Sequence, residues 1–166
     1  MRTLEIAFVA LGSNLGNSVE IIQKAIKELR HLSTKPPLKS SLWQSTPVDC
    51  PPGSPPFVNA VVGLVPQAGV TPATLLRQLR ALEKKFGRPP KTILNEPRLL
   101  DLDLIAFGSR VRHSKNLTLP HPRAHQRRFV LQPLSEIAPD YILPGQTKSA
   151  AQLLRGLKSK ERLRQL

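Results

Sequence analysis

The 166-residue chain has little of what marks several protein classes. A single cysteine, Cys50, excludes a disulfide within the chain and fits a reducing compartment. Aromatic residues are 4% of the total, with one Trp and one Tyr, which argues against a sheet that stacks RNA bases on exposed rings. No apolar run approaches the roughly 20 residues that a bilayer span needs. The opening Met1-Arg2-Thr3-Leu4-Glu5-Ile6 puts a glutamate where a signal peptide would be apolar, so a cytoplasmic protein is expected. Acids are scarce as well, 11 against 25 Lys and Arg, for a net charge of +14. Such a surface attracts polyanions, whether nucleic acid, an anionic membrane or a phosphorylated small molecule.

What is present describes one domain of soluble, globular balance, 40% hydrophobic and 22% charged. Seventeen prolines are too many for a helical bundle and point to fixed loops between short elements. Residues 4–11 form an apolar run of strand length, and GSNLGN (12–17) reads as a tight turn that caps a helix. It lacks the lysine, Ser/Thr and glycine spacing of a phosphate loop. Val19, Ile22, Ile26 and Leu29 then recur at helical spacing to about His31. Residues 38–45 and 57–65 are the next two strand candidates, separated by the proline-rich 48–56. Thr71-Pro72 starts a second helix whose buried stripe is Leu75, Leu79, Leu82 and Phe86, with Gly87 as its stop. After the basic loop 88–98, LLDLDLIAF (99–107) is a strand. Residues 110–128 read as basic loop with one short strand near Leu117–Leu119, and Leu153, Leu154 and Leu157 mark a last helix in a basic tail. The order β-α-β-β-α-β predicts an α+β fold. Its plan is a single ferredoxin-like domain, with an antiparallel-rich sheet, helices packed on one face and long basic loops.

Asp101 and Asp103 are the most informative pair. On a strand they project to one face with Cα atoms about 6.5 Å apart, while Leu100, Leu102 and Leu104 cover the other. Hard oxygen ligands at this spacing suit Mg²⁺, although a solvated strand face beside basic residues would read the same way. Arg98 and Arg88 stand nearby, and guanidinium groups grip phosphate oxygens bidentately. Acids among arginines are what a triphosphate needs. Arg110, Arg112 and Arg123 read as solubilising charge. His121, between Pro120 and Pro122, could donate to a phosphate or close a turn. Glu83 reads as a helix-surface residue pairing with Arg80. Asn59 offers donors and an acceptor to the amide edge of a heterocycle, or bonds to nearby backbone. Phe57 and Phe129 could stack a flat ring or serve as core.

Together these strings resemble the 6-hydroxymethyl-7,8-dihydropterin pyrophosphokinase family. The pieces are AFVALGSNLG (7–16), Ser45-Thr46-Pro47, FVNAV (57–61), LEKKFGR (82–88), PRLLDLDLI (97–105), LPHP (119–122) and RRFVLQPLSEIAP (127–139). The resemblance covers roughly residues 6–145. It implies a pyrophosphokinase domain over 1–145, a basic helix and tail over 146–166, and transfer of pyrophosphate from ATP to the pterin hydroxymethyl group with release of AMP. It further implies that Asp101 and Asp103 hold two Mg²⁺ ions and that Arg88 and Arg98 close over the triphosphate from a loop. His121 and Arg127 would contact ATP phosphates, and Glu83 would belong to the nucleotide side. Thr46, Pro47 and Asn59 would line the pterin pocket, with the ring between Phe57 and Phe129. The implied protein is a monomer that needs neither membrane nor nucleic acid.

The chain departs from that pattern at Pro90, at Leu94-Asn95-Glu96 before Pro97-Arg98, and at Arg80, where a glutamine is usual. These changes bear on loop closure and rate rather than on reaction class. Two other readings stay open on the sequence: a nucleic-acid-binding protein favoured by the +14 charge, and a family member that binds pterin with little turnover.

Overall fold

In the computed structural model, which describes residues 4–46, 50–87 and 99–166, the chain forms one central antiparallel sheet. Its strands are β1 (Ala7–Ser13), β2 (Leu38–Lys39), β3 (Trp43–Ser45), β4 (Phe57–Leu64), β5 (Asp101–Phe107) and β8 (Leu163–Gln165). They lie in the order β5-β1-β4-β3-β8, and β2 also pairs with β4. A separate hairpin joins β6 (Arg112–His113) to β7 (Thr118–Leu119), where the sequence pattern shows one strand in a loop. The 38–45 segment is not one strand. It leaves the ladder between β2 and β3, where the Ser40 hydroxyl accepts from the Val61 N–H at 2.9 Å.

The helices begin where local chemistry places them. The Asn17 side chain accepts from the Glu20 N–H and starts α1 (Ser18–Leu29), which buries Ile22, Ala25 and Leu29. Thr71 caps α2 (Pro72–Lys85) by accepting from the Thr74 N–H, with Pro72 in the first turn. Gly87, at φ 83°, ends it and donates to the Lys84 carbonyl. Ser149 and Gln152 form a capping box on α4 (Ala150–Gly156). Between them lies α3 (Arg128–Ile137), which carries Pro133 in its interior.

The sheet is covered on both faces, which corrects the expectation of helices on one. Ala7, Val9 and Leu11 of β1 pack with Val58, Ala60, Val62 and Leu64 of β4 against α1 and α2. Phe8 and Ala10 face the other way, against Val61 and against Val130, Leu134 and Ala150 of α3 and α4. The central β1 is therefore apolar on both sides, as its unbroken run of apolar residues requires. A bulge opposite Phe8 and Val9 lets both Ile105 and Ala106 face the α3 side, and returns Phe107 to the α1–α2 core.

Gly63 leaves room for side chains of the neighbouring strands to close over β4. A Cβ there would lie 3.1 Å from Ile6 Cγ2, 3.2 Å from Phe8 Cε1 and 3.3 Å from Leu38 Cδ1. Gly63→Ala is expected to lower the unfolding free energy by about 1–3 kcal/mol through overpacking, read from urea titrations. An unchanged midpoint would show that these three side chains yield freely.

Candidate active site

Among the described residues β5 is an edge strand, so the outward backbone groups of its residues have no strand partner there. Helix α2 supplies side chains instead. Glu83 Oε2 accepts from the Leu102 N–H at 2.8 Å, and Arg80 Nη1 donates to the Leu102 carbonyl at 2.9 Å and to Glu83 Oε1 at 2.8 Å. The carboxylate and guanidinium thus bind the N–H and C=O of one residue, Leu102, as a neighbouring strand would. Glu83 is only 2% exposed, so the pairing with Arg80 expected from the sequence exists, but with a buried carboxylate reached by a half-exposed arginine.

The clamped residue lies between Asp101 and Asp103, whose neighbours Leu102 and Leu104 are buried in the opposite face. Burial, and then the charge of Asp101, push the Asp103 carboxyl up to about 7. Arg80 and Arg127 pull it down by less. A cleft of about 260 Å³ opens beside Asp103, between α2 and the β6–β7 hairpin. Leu76 and Arg80 line one side, and Lys115, Thr118 and His121 the other.

His121 Nδ1 accepts from the Arg123 N–H at 3.2 Å, so in the neutral ring Nε2 carries the proton. The His121 N–H donates to the Ile105 carbonyl at 2.8 Å and fixes the loop to β5. Burial and the nearby Arg127 and Arg123 push the imidazole down to about 4. At neutral pH the side chain is an uncharged donor aimed from a fixed loop.

Strand register carries the site across the sheet. Asp101 pairs with Gly12, Gly12 with Asn59, and Asn59 with Trp43, so the four form one row. At about 4.8 Å per strand, Asp101 and Asn59 are about 10 Å apart with only a glycine between them. A Cβ on Gly12 would meet Phe57 Cδ1 at 3.7 Å and Asn59 Oδ1 at 3.8 Å. Asn59 is 4% exposed, and its Nδ2 donates to the Ser45 hydroxyl at 2.7 Å. Thr46 follows β3, and Phe129 lies in the first turn of α3 with the Arg127 guanidinium 5.3 Å from its ring centre.

Asp101, Asp103, His121 and Arg127 therefore gather at the β5 edge, and Asn59, Phe57 and Thr46 lie along β4 and β3. Arg88, Arg98 and Pro47 lie outside the described residues, as do Pro90, Asn95 and Glu96. Gly12, expected in a turn, is instead the next-to-last residue of β1. Lys115 and Thr118 escape notice in the sequence because the hairpin that carries them has only two residues per strand. Arg110 pairs with Glu5 through two bonds, at 2.9 and 2.8 Å, away from the cleft. Among the described residues no three His, Cys, Asp or Glu side chains cluster as metal ligands.

Paired carboxylates, a neutral imidazole donor and arginines around a cleft on an α+β sheet are the parts of an enzyme that transfers phosphate groups. More narrowly, the chain belongs to the 7,8-dihydro-6-hydroxymethylpterin-pyrophosphokinase (HPPK) family, whose model matches residues 8–139. It is 40% identical over 148 residues to the 2-amino-4-hydroxy-6-hydroxymethyldihydropteridine pyrophosphokinase of Synechocystis, covering 89% of this chain and 74% of that one. A protein of the same name from Haemophilus influenzae is 39% identical over 139 residues, 83% of this chain and 84% of the relative. Among solved structures, wild-type Plasmodium falciparum HPPK-DHPS with pteroate superposes with a TM-score of 0.71 at 13% identity, over 92% of this chain and 42% of that one, which bears on the fold alone.

The raised Asp103 carboxyl has a stability consequence. Its contribution is fully present below about 4 and is lost as pH rises through about 7, because the folded state then holds a charge that the unfolded chain solvates better. In metal-free buffer at about pH 8, Asp103→Asn is expected to melt about 2–6 °C above wild type, with the difference vanishing near pH 4. Thermal melts at the two pH values check this, and an equal shift at both would contradict it.

Proposed function

We propose that this chain transfers the pyrophosphoryl group of ATP to the hydroxymethyl group of 6-hydroxymethyl-7,8-dihydropterin, releasing AMP, in folate biosynthesis. The observation that carries the site assignment is the row Asp101–Gly12–Asn59, in which a phosphate-handling end and an amide end share one face across a glycine gap. ATP occupies the cleft beside Asp103, with His121 Nε2 and Arg127 on its phosphates. The pterin lies toward β4 and β3. There the Asn59 amide, oriented by Ser45, meets its heterocyclic edge, Thr46 and Pro47 line the pocket, and Phe57 and Phe129 hold the ring. A Cβ at position 12 would lie in van der Waals contact with Phe57 and Asn59, between the two ends of the row.

Asp101 and Asp103 fit Mg²⁺, because two hard carboxylates whose mutual repulsion raises one of them are suited to a cation that takes its remaining ligands from water and phosphates. When bound, Mg²⁺ (two ions in this reading) supplies charge neutralisation to the triphosphate. The protein's share is positioning: the Arg80–Glu83 clamp holds the Leu102 peptide, and so the spacing of the two aspartates, while His121 donates without adding charge. Glu83 serves the nucleotide side through the strand rather than by contact. Arg88 and Arg98 neutralise developing phosphate charge from their loop. In-line placement of hydroxyl and β-phosphorus does much of the remaining work. The reading is of a cytoplasmic monomer acting on two small-molecule substrates. Among the described residues no helix is long and apolar enough to cross a membrane.

Release of AMP from ATP and Mg²⁺, with and without the pterin, tests this reading. Wild type is expected to release AMP only with pterin, and Asp101→Ala/Asp103→Ala to lose at least about a hundredfold in rate. No AMP from folded wild type that still binds pterin would mark a binding protein. Neither AMP nor pterin binding would return the basic surface to nucleic acid as its partner.

A further inference from the structure

The basic C-terminal segment does not trail from the domain. Strand β8 adds to β3, with Leu163 opposite Ser45 and Gln165 opposite Trp43. The Thr46 N–H donates to the Arg162 carbonyl at 3.4 Å, so the segment borders the β3 wall of the site. At its other end it meets the start of α3. Arg128 Nη2 donates to the Leu157 carbonyl at 3.3 Å, and Glu161 Oε2 accepts from the Phe129 N–H at 3.3 Å.

Helix α3 needs that carboxylate. Its N-cap residue is Arg127, whose side chain caps nothing, and its first turn holds no acid. Two arginines, 127 and 128, stand where the helix dipole disfavours positive charge. Glu161, 32 residues further along the chain, provides both the missing acceptor and the missing negative charge. One segment thus fastens the first turn of α3 to the end of β3, and these two elements carry Phe129 and Thr46.

We propose that Glu161 is a positioning residue for the pterin, setting the orientation of the first turn of α3 and with it the Phe129 ring and the Arg127 guanidinium that lies over it. The inference rests on the pterin pocket described above. Glu161 touches no substrate. It acts by capping, so an uncharged acceptor of the same length should replace it in part, whereas truncation should not be tolerated.

Glu161→Ala, Glu161→Gln and Arg164→Ala separate this role from general support. Arg164 lies three residues further along, on β8, and its Nη2 donates to Gln44 Oε1 at 2.6 Å, so its variant measures what loosening β8 does alone. With pterin binding followed by fluorescence and AMP release by kinetics, Glu161→Ala is expected to weaken pterin binding about fivefold to tenfold, the size of a lost cap. kcat at saturating pterin and ATP should stay within about twofold, and the ATP KM should rise, through Arg127, by less than the loss of pterin affinity. Glu161→Gln should recover most of the affinity, and Arg164→Ala should match wild type. Amide hydrogen exchange supplies a readout that needs no ligand: the Phe129 N–H should exchange faster in Glu161→Ala and not in Arg164→Ala. Wild-type pterin affinity and an unchanged Phe129 exchange rate in Glu161→Ala would overturn the inference, as would an equal loss in Arg164→Ala. Faster exchange at Phe129 combined with a wild type that binds no pterin would overturn the pocket assignment, and with it the role in positioning pterin.

Discussion

Two carboxylates stand two residues apart on an edge strand, and much of the surrounding structure answers to that constraint. An edge strand bearing Asp101 and Asp103 has every reason to fray: its outer peptide groups lack a strand partner among the described residues, and the charges of its acids repel. The fold holds it from three sides. β1 pairs with its inner edge, the leucines that alternate with the acids are sunk in the α1–α2 core, and Arg80 and Glu83 grip the outward N–H and C=O of Leu102. The acids are thereby presented at a fixed spacing, with the Asp103 carboxyl far above its ordinary range. Such a site is poor at holding itself and well suited to a cation and a polyphosphate.

The second constraint is the glycine at position 12. β1 is an inner strand of the sheet, between β5 and β4, and is buried on both faces for most of its length. At its end the row Asp101–Gly12–Asn59 trades packing for open space. The stability that the core provides along Ala7–Leu11 is what makes an unfilled position next to it tolerable. The proposed site lies where β1 ceases to be core.

Much of this was legible in the sequence, and the parts that were not share a cause. The capped starts at Asn17 and Thr71, the stripe of α2, the strands around Asn59 and Asp103 and the pairing of Asp101 with Asp103 on one face are all local signals, and the helix starts and strand cores lie where the pattern indicates. Helix α3 is hidden because Pro133 lacks an N–H and crowds the preceding turn, so RFVLQPLSEI does not read as a helix until α4 and the sheet bury Val130 and Leu134. The 38–45 segment looks continuous because nothing local shows that Ser40 breaks it through a bond to Val61. Glu83 looks like a surface residue because its second partner is the backbone of a strand 19 residues away. The C-terminal segment looks like a solvated tail because β8 is only three residues long and its capping role at α3 is visible only in space. Local chemistry reads well from sequence; contacts that join distant segments through backbone groups do not.

The most direct measurement is the titration of the Asp103 carboxyl carbon by NMR in metal-free protein, compared with Asp101→Asn. The crowded, half-buried pair predicts a midpoint near 7 that falls when the neighbouring charge is removed. A midpoint near the ordinary value of about 4, or one indifferent to Asp101→Asn, would contradict the central claim that the fold holds these acids in an arrangement favouring a bound cation and phosphate.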